Sequence, residues 1–108
     1  MKEGKGKRKD ERKFKRLRVR YGPEKAVHLA YAIQVSESGA FLLANRPVFA
    51  RGSRIVVEFD TEQGKIITGA IVRHAKNLPP QLARFSSSGM GVEFLSPPPE
   101  LQEFLSTL

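Results

Sequence analysis

The feature that most constrains the fold is the regular spacing of turn residues, which divides the chain into short apolar segments. Turn-forming groups occur at Gly22-Pro23, at residues 36–39, at residues 51–53 and at residues 60–64. Glycine, proline, serine, asparagine and aspartate favour turns because they supply unusual backbone angles or bond to their own backbone. Short apolar segments at this spacing predict an all-β protein.

The segments between these turns have the residue pattern of strands. Leu17, Val19 and Tyr21 alternate with arginines, which is the period of a strand with one buried face. Six strands are predicted, over residues 16–21, 26–35, 40–44, 54–59, 65–74 and 89–95, with a loop over residues 75–88. Strands of this length and spacing predict a small antiparallel barrel or sandwich.

The larger apolar residues of these strands are the candidate core. The residues expected in the core or at its rim are Ile33, Val35, Phe41, Leu43, Val57, Phe59, Val92 and Phe94. After the last strand, three consecutive prolines over residues 97–99 exclude a further sheet strand. Leu101, Phe104, Leu105 and Leu108 then follow the i, i+3, i+4, i+7 spacing of an amphipathic helix, predicted over residues 100–108. The pattern leaves open whether this helix covers the barrel, a sheet face or a partner.

The charge of the chain is concentrated at its N-terminus. The 108 residues have a formal net charge of +8, and residues 1–20 hold eleven Lys or Arg against three Asp or Glu. The remaining 88 residues hold eight of each sign and are neutral. Residues 1–11 lack apolar residues beyond Met1, so we expect a disordered basic arm ahead of a single domain over residues 12–108.

Several function classes are disfavoured by composition. The chain has no cysteine, and its two aspartates are Asp10 and Asp60. Neither a histidine–carboxylate–serine set nor metal-ligand spacing is present, so we expect no enzyme, no metal and no cofactor. No apolar run approaches the roughly 20 residues of a membrane span, and no apolar segment of a signal peptide follows the basic start. The expected location is the cytoplasm.

Two arginines just after the basic arm are the strongest binding candidates. Arg12 and Arg16 are four residues apart, with Phe14 between them. Guanidinium groups pair with phosphate oxygens and with the Hoogsteen edge of guanine, so this pair suits an anionic, guanine-bearing ligand. A solvated basic tail is the structural alternative. Arg18 and Arg20 lie within the predicted strand and are expected to face solvent.

Three motifs in order resemble the PilZ domain family. Arg12-x-x-x-Arg16 precedes the first strand, Gln34-Val35-Ser36-Glu37-Ser38-Gly39 stands at a hairpin, and Gly89-Met90-Gly91-Val92-Glu93-Phe94 forms the last strand. The family pattern is RxxxR, (D/N)xSxxG and a late glycine-containing GVxF strand. The resemblance implies a six-stranded antiparallel β-barrel with a C-terminal helix. It also implies a stand-alone bacterial receptor that binds the second messenger cyclic di-GMP.

The resemblance also implies roles for individual residues. Arg12 and Arg16 would hold the phosphates and guanines, while Ser36 and Gly39 would form the hairpin on the other side of the ligand. The ligand would order the arginine segment on the barrel and change the surface that a protein partner contacts. The expected ligand-binding residues are Arg12, Arg16, Gln34, Ser36, Gly39 and Arg73.

One position departs from the family pattern and keeps alternatives open. Gln34 stands where the family has Asp or Asn, and its longer side chain moves the terminal oxygen away from the backbone. The departure predicts weakened nucleotide binding, and its alternative is a PilZ-fold interaction module that binds no nucleotide. A nucleic-acid-binding barrel is disfavoured because the body is neutral and shows no aromatic stacking platform.

Overall fold

A computed structural model of the protein describes residues 16–44, 47–76 and 88–108. The strands are β1 Leu17–Gly22, β2 His28–Ile33, β3 Gly39–Leu43, β4 Arg54–Thr61, β5 Gly64–Lys76 and β6 Gly89–Leu95, followed by helix α1 Pro99–Ser106. They form a closed barrel in the order β1-β2-β3-β6-β5-β4, and all the neighbouring strands are antiparallel. The predicted all-β barrel with a C-terminal helix is confirmed. The predicted basic arm, Arg12 and most of the predicted loop lie outside the described residues.

The hairpin between β4 and β5 is tighter than predicted. The sequence pattern predicts a turn over residues 60–64, whereas only Glu62 and Gln63 lie between the two strands. The Thr61 hydroxyl donates to the Gly64 carbonyl at 2.6 Å and accepts from the Gln63 N–H at 3.2 Å. Gly64 has φ of 127°, which is open to glycine because it has no Cβ. Together these contacts reverse the chain within two residues.

Strand β5 is longer than predicted at its C-terminal end. The predicted loop begins at Ala75, but Ala75 and Lys76 pair with Met90 and Gly89 of β6. Strand pairing over these residues supplies partners for their backbone groups, which a loop would leave to solvent. Of the other residues in the predicted loop, the structure describes Ser88 alone, and Ser88 is buried.

The interior of the barrel combines large and small side chains. Five of the predicted core residues are buried, namely Val35, Val57, Phe59, Val92 and Phe94. Alanine occupies inward positions on β2, β3 and β5, at Ala30, Ala32, Ala40 and Ala70. Small barrels fill their interior by mixing small and large residues, because the space between facing strands is narrow.

Three predicted core residues instead face outward. Ile33, Phe41 and Leu43 are half-buried, whereas the neighbouring Ala32 and Leu42 are buried. Gln34 has φ of 51°, which ends the extended strand, so Ile33 and Val35 do not share one face as strict alternation predicts. Phe41 lies directly opposite Ile33 in the β2–β3 pair, and directly opposed residues share a face.

Helix α1 packs against the core of the barrel. Leu101 and Leu105 are buried within the core, and the Phe104 ring lies 6.3 Å from the ring of Phe59. Because Phe59 faces the interior, the helix covers one mouth of the barrel, which answers the question that the sequence left open. The helix begins at Pro99, where the missing N–H has no helical partner to lose. Among the described residues, no helix is long and apolar enough to cross a membrane.

Tyr21 is a buried core residue of β1 whose ring partners are half-buried. Its hydroxyl donates to the Pro47 carbonyl at 2.6 Å, and its ring contacts those of His28 and Phe49 at 5.5 Å and 6.1 Å between centroids. Burial raises the pKa of the Tyr21 phenol above its ordinary value, because the charged form loses solvation. The folded chain therefore retains this proton after the unfolded chain has released it.

We expect Tyr21→Phe to lower the free energy of unfolding by about 1 kcal/mol near neutral pH, since the Pro47 carbonyl loses its donor. In the parent protein, the raised pKa of Tyr21 links the free energy of unfolding to pH. The contribution of Tyr21 to stability is complete below about pH 10, the ordinary phenol pKa, and is lost as the pH rises through the raised folded pKa. The variant has no phenol and should not lose stability in this way at alkaline pH. Urea unfolding at neutral and alkaline pH measures both effects. Tyr31→Phe is the control, and an equal effect there would contradict the assignment.

Candidate ligand-binding groove

An open groove of about 550 Å³ lies on the outer face of β3, β6 and β5. It is lined by Gln34, Ser38, Gly39, Ala40, Phe41, Arg73, His74, Gly91, Val92 and Glu93. Three of the six residues predicted to bind a ligand are in this set, namely Gln34, Gly39 and Arg73. The groove thus joins the predicted hairpin to the last strand, although the two are some 50 residues apart in sequence.

Gly91 leaves part of the groove surface without a side chain. Gly91 is the direct cross-strand neighbour of Phe41 in β3 and of His74 in β5. A Cβ atom at Gly91 would lie 3.4 Å from the His74 imidazole, so the ring stands beside the bare backbone. The Phe41 ring lies against Gly89, where a Cβ atom would be 2.7 Å from it. A surface without a side chain beside the His74 ring accommodates a flat group that stacks on the imidazole.

Gly39 is required by packing rather than by a left-handed turn. Its φ is not positive, whereas Gln34 has φ of 51°. A Cβ at Gly39 would overlap the carbonyl oxygen of Val92 in β6. The absent side chain therefore allows β3 and β6 to approach, and it brings Gly39 directly opposite Glu93 at the edge of the groove.

Ser36 lies behind the groove wall and holds the hairpin in shape. Its side chain is 1% exposed, and its hydroxyl oxygen lies 3.4 Å from the Gly39 carbonyl and accepts from the Ser38 N–H at 3.3 Å. The Ser36 N–H also donates to the Gly39 carbonyl at 2.9 Å. Ser38, two residues on, lines the groove instead. A direct contact of Ser36 with ligand stays a prediction.

Arg73 is directed outward by an irregularity in β5. The register between β5 and β6 shifts between Val72 and His74, and such bulges re-aim side chains. The Arg73 Nε donates to the Glu93 Oε1 at 2.8 Å, and both side chains are about half exposed. Arg73 and Glu93 are the charged residues among those lining the groove, so with His74 neutral its formal charge is zero.

Arg16 lies on the outer face of β2, beside the groove rather than in it. Its guanidinium carbon is 5.4 Å from the centre of the Tyr31 ring. Tyr31 and Ile33 are successive outward residues of β2, and Ile33 is opposite Phe41 of the groove. Arg18 and Arg20 are exposed on β1, as predicted.

Sequence reasoning missed the groove residues on the strands, which are Phe41, His74, Gly91 and Glu93. Gly91 and Glu93 belong to the motif of the last strand, so the motif offered a signal for them. Phe41 was assigned to the core or its rim, and His74 to packing or the surface. In the parts of the chain that the structure describes, no three His, Cys, Asp or Glu residues are grouped to hold a metal ion.

Comparisons with known proteins agree with the fold. The family model of the PilZ domain matches residues 6–108. Among solved structures, the chain is similar to "Structure of Bacillus subtilis Inhibitor of motility (MotI/DgrA)", with a TM-score of 0.70 and 22% identity over 93% of this chain. The match covers 48% of that protein, so this chain spans about half of its length, and at this identity the likeness shows the fold. A search of curated proteins found no significant match.

Proposed function

The chain belongs to the PilZ domain family, and on this premise we propose that it binds cyclic di-GMP as a receptor. PilZ domains are regulatory receptor domains and not enzymes. The observation that best supports binding here is the groove itself, because the hairpin motif and the last-strand motif form its two sides. Gly39 of the first motif pairs with Glu93 of the second.

The groove and the arginine segment supply complementary parts of the site. Cyclic di-GMP has two flat guanines and two phosphate charges, whereas the groove is lined in part by Phe41 and His74 and has no net charge. Stacking alone leaves the phosphates without counter-charges, so the cations come from Arg12 and Arg16. Arg16 already rests against Tyr31 on the β2 side of the groove. Binding fixes the segment containing both arginines on the barrel.

The signal passes to a protein partner through this rearrangement. A segment held against β2 and β3 presents a different surface from the same segment without ligand, and a partner that binds one surface better shifts the equilibrium accordingly. A bacterial cytoplasmic setting fits such a receptor, since cyclic di-GMP is made there. A receptor of this kind requires neither specific nucleic-acid binding nor a membrane span.

Isothermal titration of the full chain with cyclic di-GMP tests the proposal directly. We expect saturable heat with cyclic di-GMP and a much smaller response with cyclic di-AMP, because adenine lacks the N1–H and N2–H donors of guanine. Equal binding of both nucleotides, with a steep dependence on salt, would indicate nonspecific attraction to an anion. Absence of heat with either would contradict the receptor function.

Gln34 favours a second candidate, which is a PilZ-fold interaction module without nucleotide binding. Gln34 lines the groove where the family has Asp or Asn, and its backbone has a positive φ. If the parent protein gives no heat, the interaction module replaces the receptor. Gln34→Asp then shows whether Gln34 is the cause, because a variant that gains binding would mean that the rest of the groove still accepts the nucleotide.

A further inference from the structure

The groove contains one carboxylate, that of Glu93, whose place in the family pattern is a variable position. Its side chain is 51% exposed and lies directly opposite Gly39, so no Cβ on β3 stands between it and the space of the groove. Its Oε1 accepts from Arg73, which leaves Oε2 and further lone pairs for a ligand. Among the described residues lining the groove, it is the sole acidic group.

Guanine presents a pair of donors that a carboxylate matches. The N1–H and N2–H groups lie side by side on its Watson–Crick edge, and the two oxygens of a carboxylate accept both in parallel. The amide of Gln34 has a single acceptor oxygen and cannot form the same pair of bonds. Bonds to an ionised acceptor are also roughly twice as strong as bonds between neutral groups.

Arg73 makes a carboxylate compatible with a doubly anionic ligand. A lone glutamate would repel the phosphates, whereas the ion pair with Arg73 is neutral. The bond from Nε also restricts the rotation of the Glu93 side chain, so less freedom is lost when guanine binds. Arg73 therefore acts as a positioning residue for Glu93.

We propose that Glu93 recognises the guanine edge of the ligand, in place of the Asp or Asn that the family pattern has at Gln34. The inference rests on the proposed cyclic di-GMP binding and deepens it. The carboxylate then comes from Glu93 on β6 instead of from the hairpin. The replacement of Asp or Asn by Gln34 therefore no longer predicts weaker binding.

Glu93→Gln tests the inference by the sign of its effect. The variant removes a negative charge and frees Arg73, so electrostatics alone predicts tighter binding of an anion. Loss of the carboxylate bonds predicts the opposite, and we expect about ten- to a hundred-fold weaker binding in titration calorimetry. Glu103→Gln removes the same charge on α1, outside the groove, and should leave the affinity unchanged. Equal or tighter binding by Glu93→Gln would overturn the inference.

An analogue of the ligand tests whether Glu93 contacts the guanine edge itself. The inosine analogue of cyclic di-GMP lacks the N2 amino group, so the parent protein should bind it more weakly than cyclic di-GMP. In Glu93→Gln that difference should shrink towards zero, and Gln34→Asp added to Glu93→Gln should restore part of the affinity. A difference that persists unchanged in Glu93→Gln would mean that another group contacts the amino group. A parent protein that binds no cyclic di-GMP overturns the receptor function, and the inference with it.

Discussion

Phe94→Ala should lower the free energy of unfolding by about 3–5 kcal/mol, because it removes a buried ring and leaves a cavity. Phe94 is 5% exposed, and its ring meets that of Phe59 edge-on at 5.9 Å. Phe59 in turn contacts Phe104 of α1, so the cavity would also loosen the helix that covers the barrel mouth. Urea unfolding followed by circular dichroism measures the loss.

Two further variants keep this result interpretable. Phe94→Leu retains most of the apolar volume and should cost less than about 1.5 kcal/mol. Phe41→Ala removes the same ring from the half-buried outer face, and we expect a loss of about 1 kcal/mol or less. Similar losses for Phe41→Ala and Phe94→Ala would contradict the assignment of Phe41 to the outside of the barrel.

The sequence predicted the strands because their signals are local. Turn residues and alternation are properties of neighbouring positions, so the six strands and the helix could be placed to within a few residues. The faces of β2 and β3 could not be assigned, because the prediction placed their larger apolar residues in the core or at its rim. A narrow barrel takes Ala30 and Ala32 inward and leaves Tyr31 and Ile33 outside, which depends on closure of the whole sheet.

The groove was predictable only where it coincides with a motif. Gln34 and Gly39 belong to a hairpin whose spacing resembles a known pattern. Glu93 faces Gly39 because β3 pairs with β6 across a long intervening stretch of chain, and the register of such a pair cannot be read from either strand alone. The shift between Val72 and His74 likewise follows from pairing with β6 and not from the local sequence.

Arg16→Ala should reduce the affinity for cyclic di-GMP by about a hundred-fold or more, since it removes charge-assisted bonds to phosphate and a planar group for stacking. The described groove has no net charge, so the ligand depends on arginines from outside it. Arg16→Lys should also lose most of the affinity. Lysine retains the charge but lacks the planar, bidentate guanidinium. Titration calorimetry at two salt concentrations measures both variants.

Arg18→Ala and Arg20→Ala are charge-matched controls, because both residues are exposed on β1 and neither lines the groove. Their affinities should stay near that of the parent protein, whereas Arg12→Ala should resemble Arg16→Ala. Equal losses in all four variants, with a steep salt dependence, would show that the arginines attract anions without forming a site. A loss confined to Arg12 and Arg16 would show that these two arginines contact the ligand, because all four variants remove the same charge.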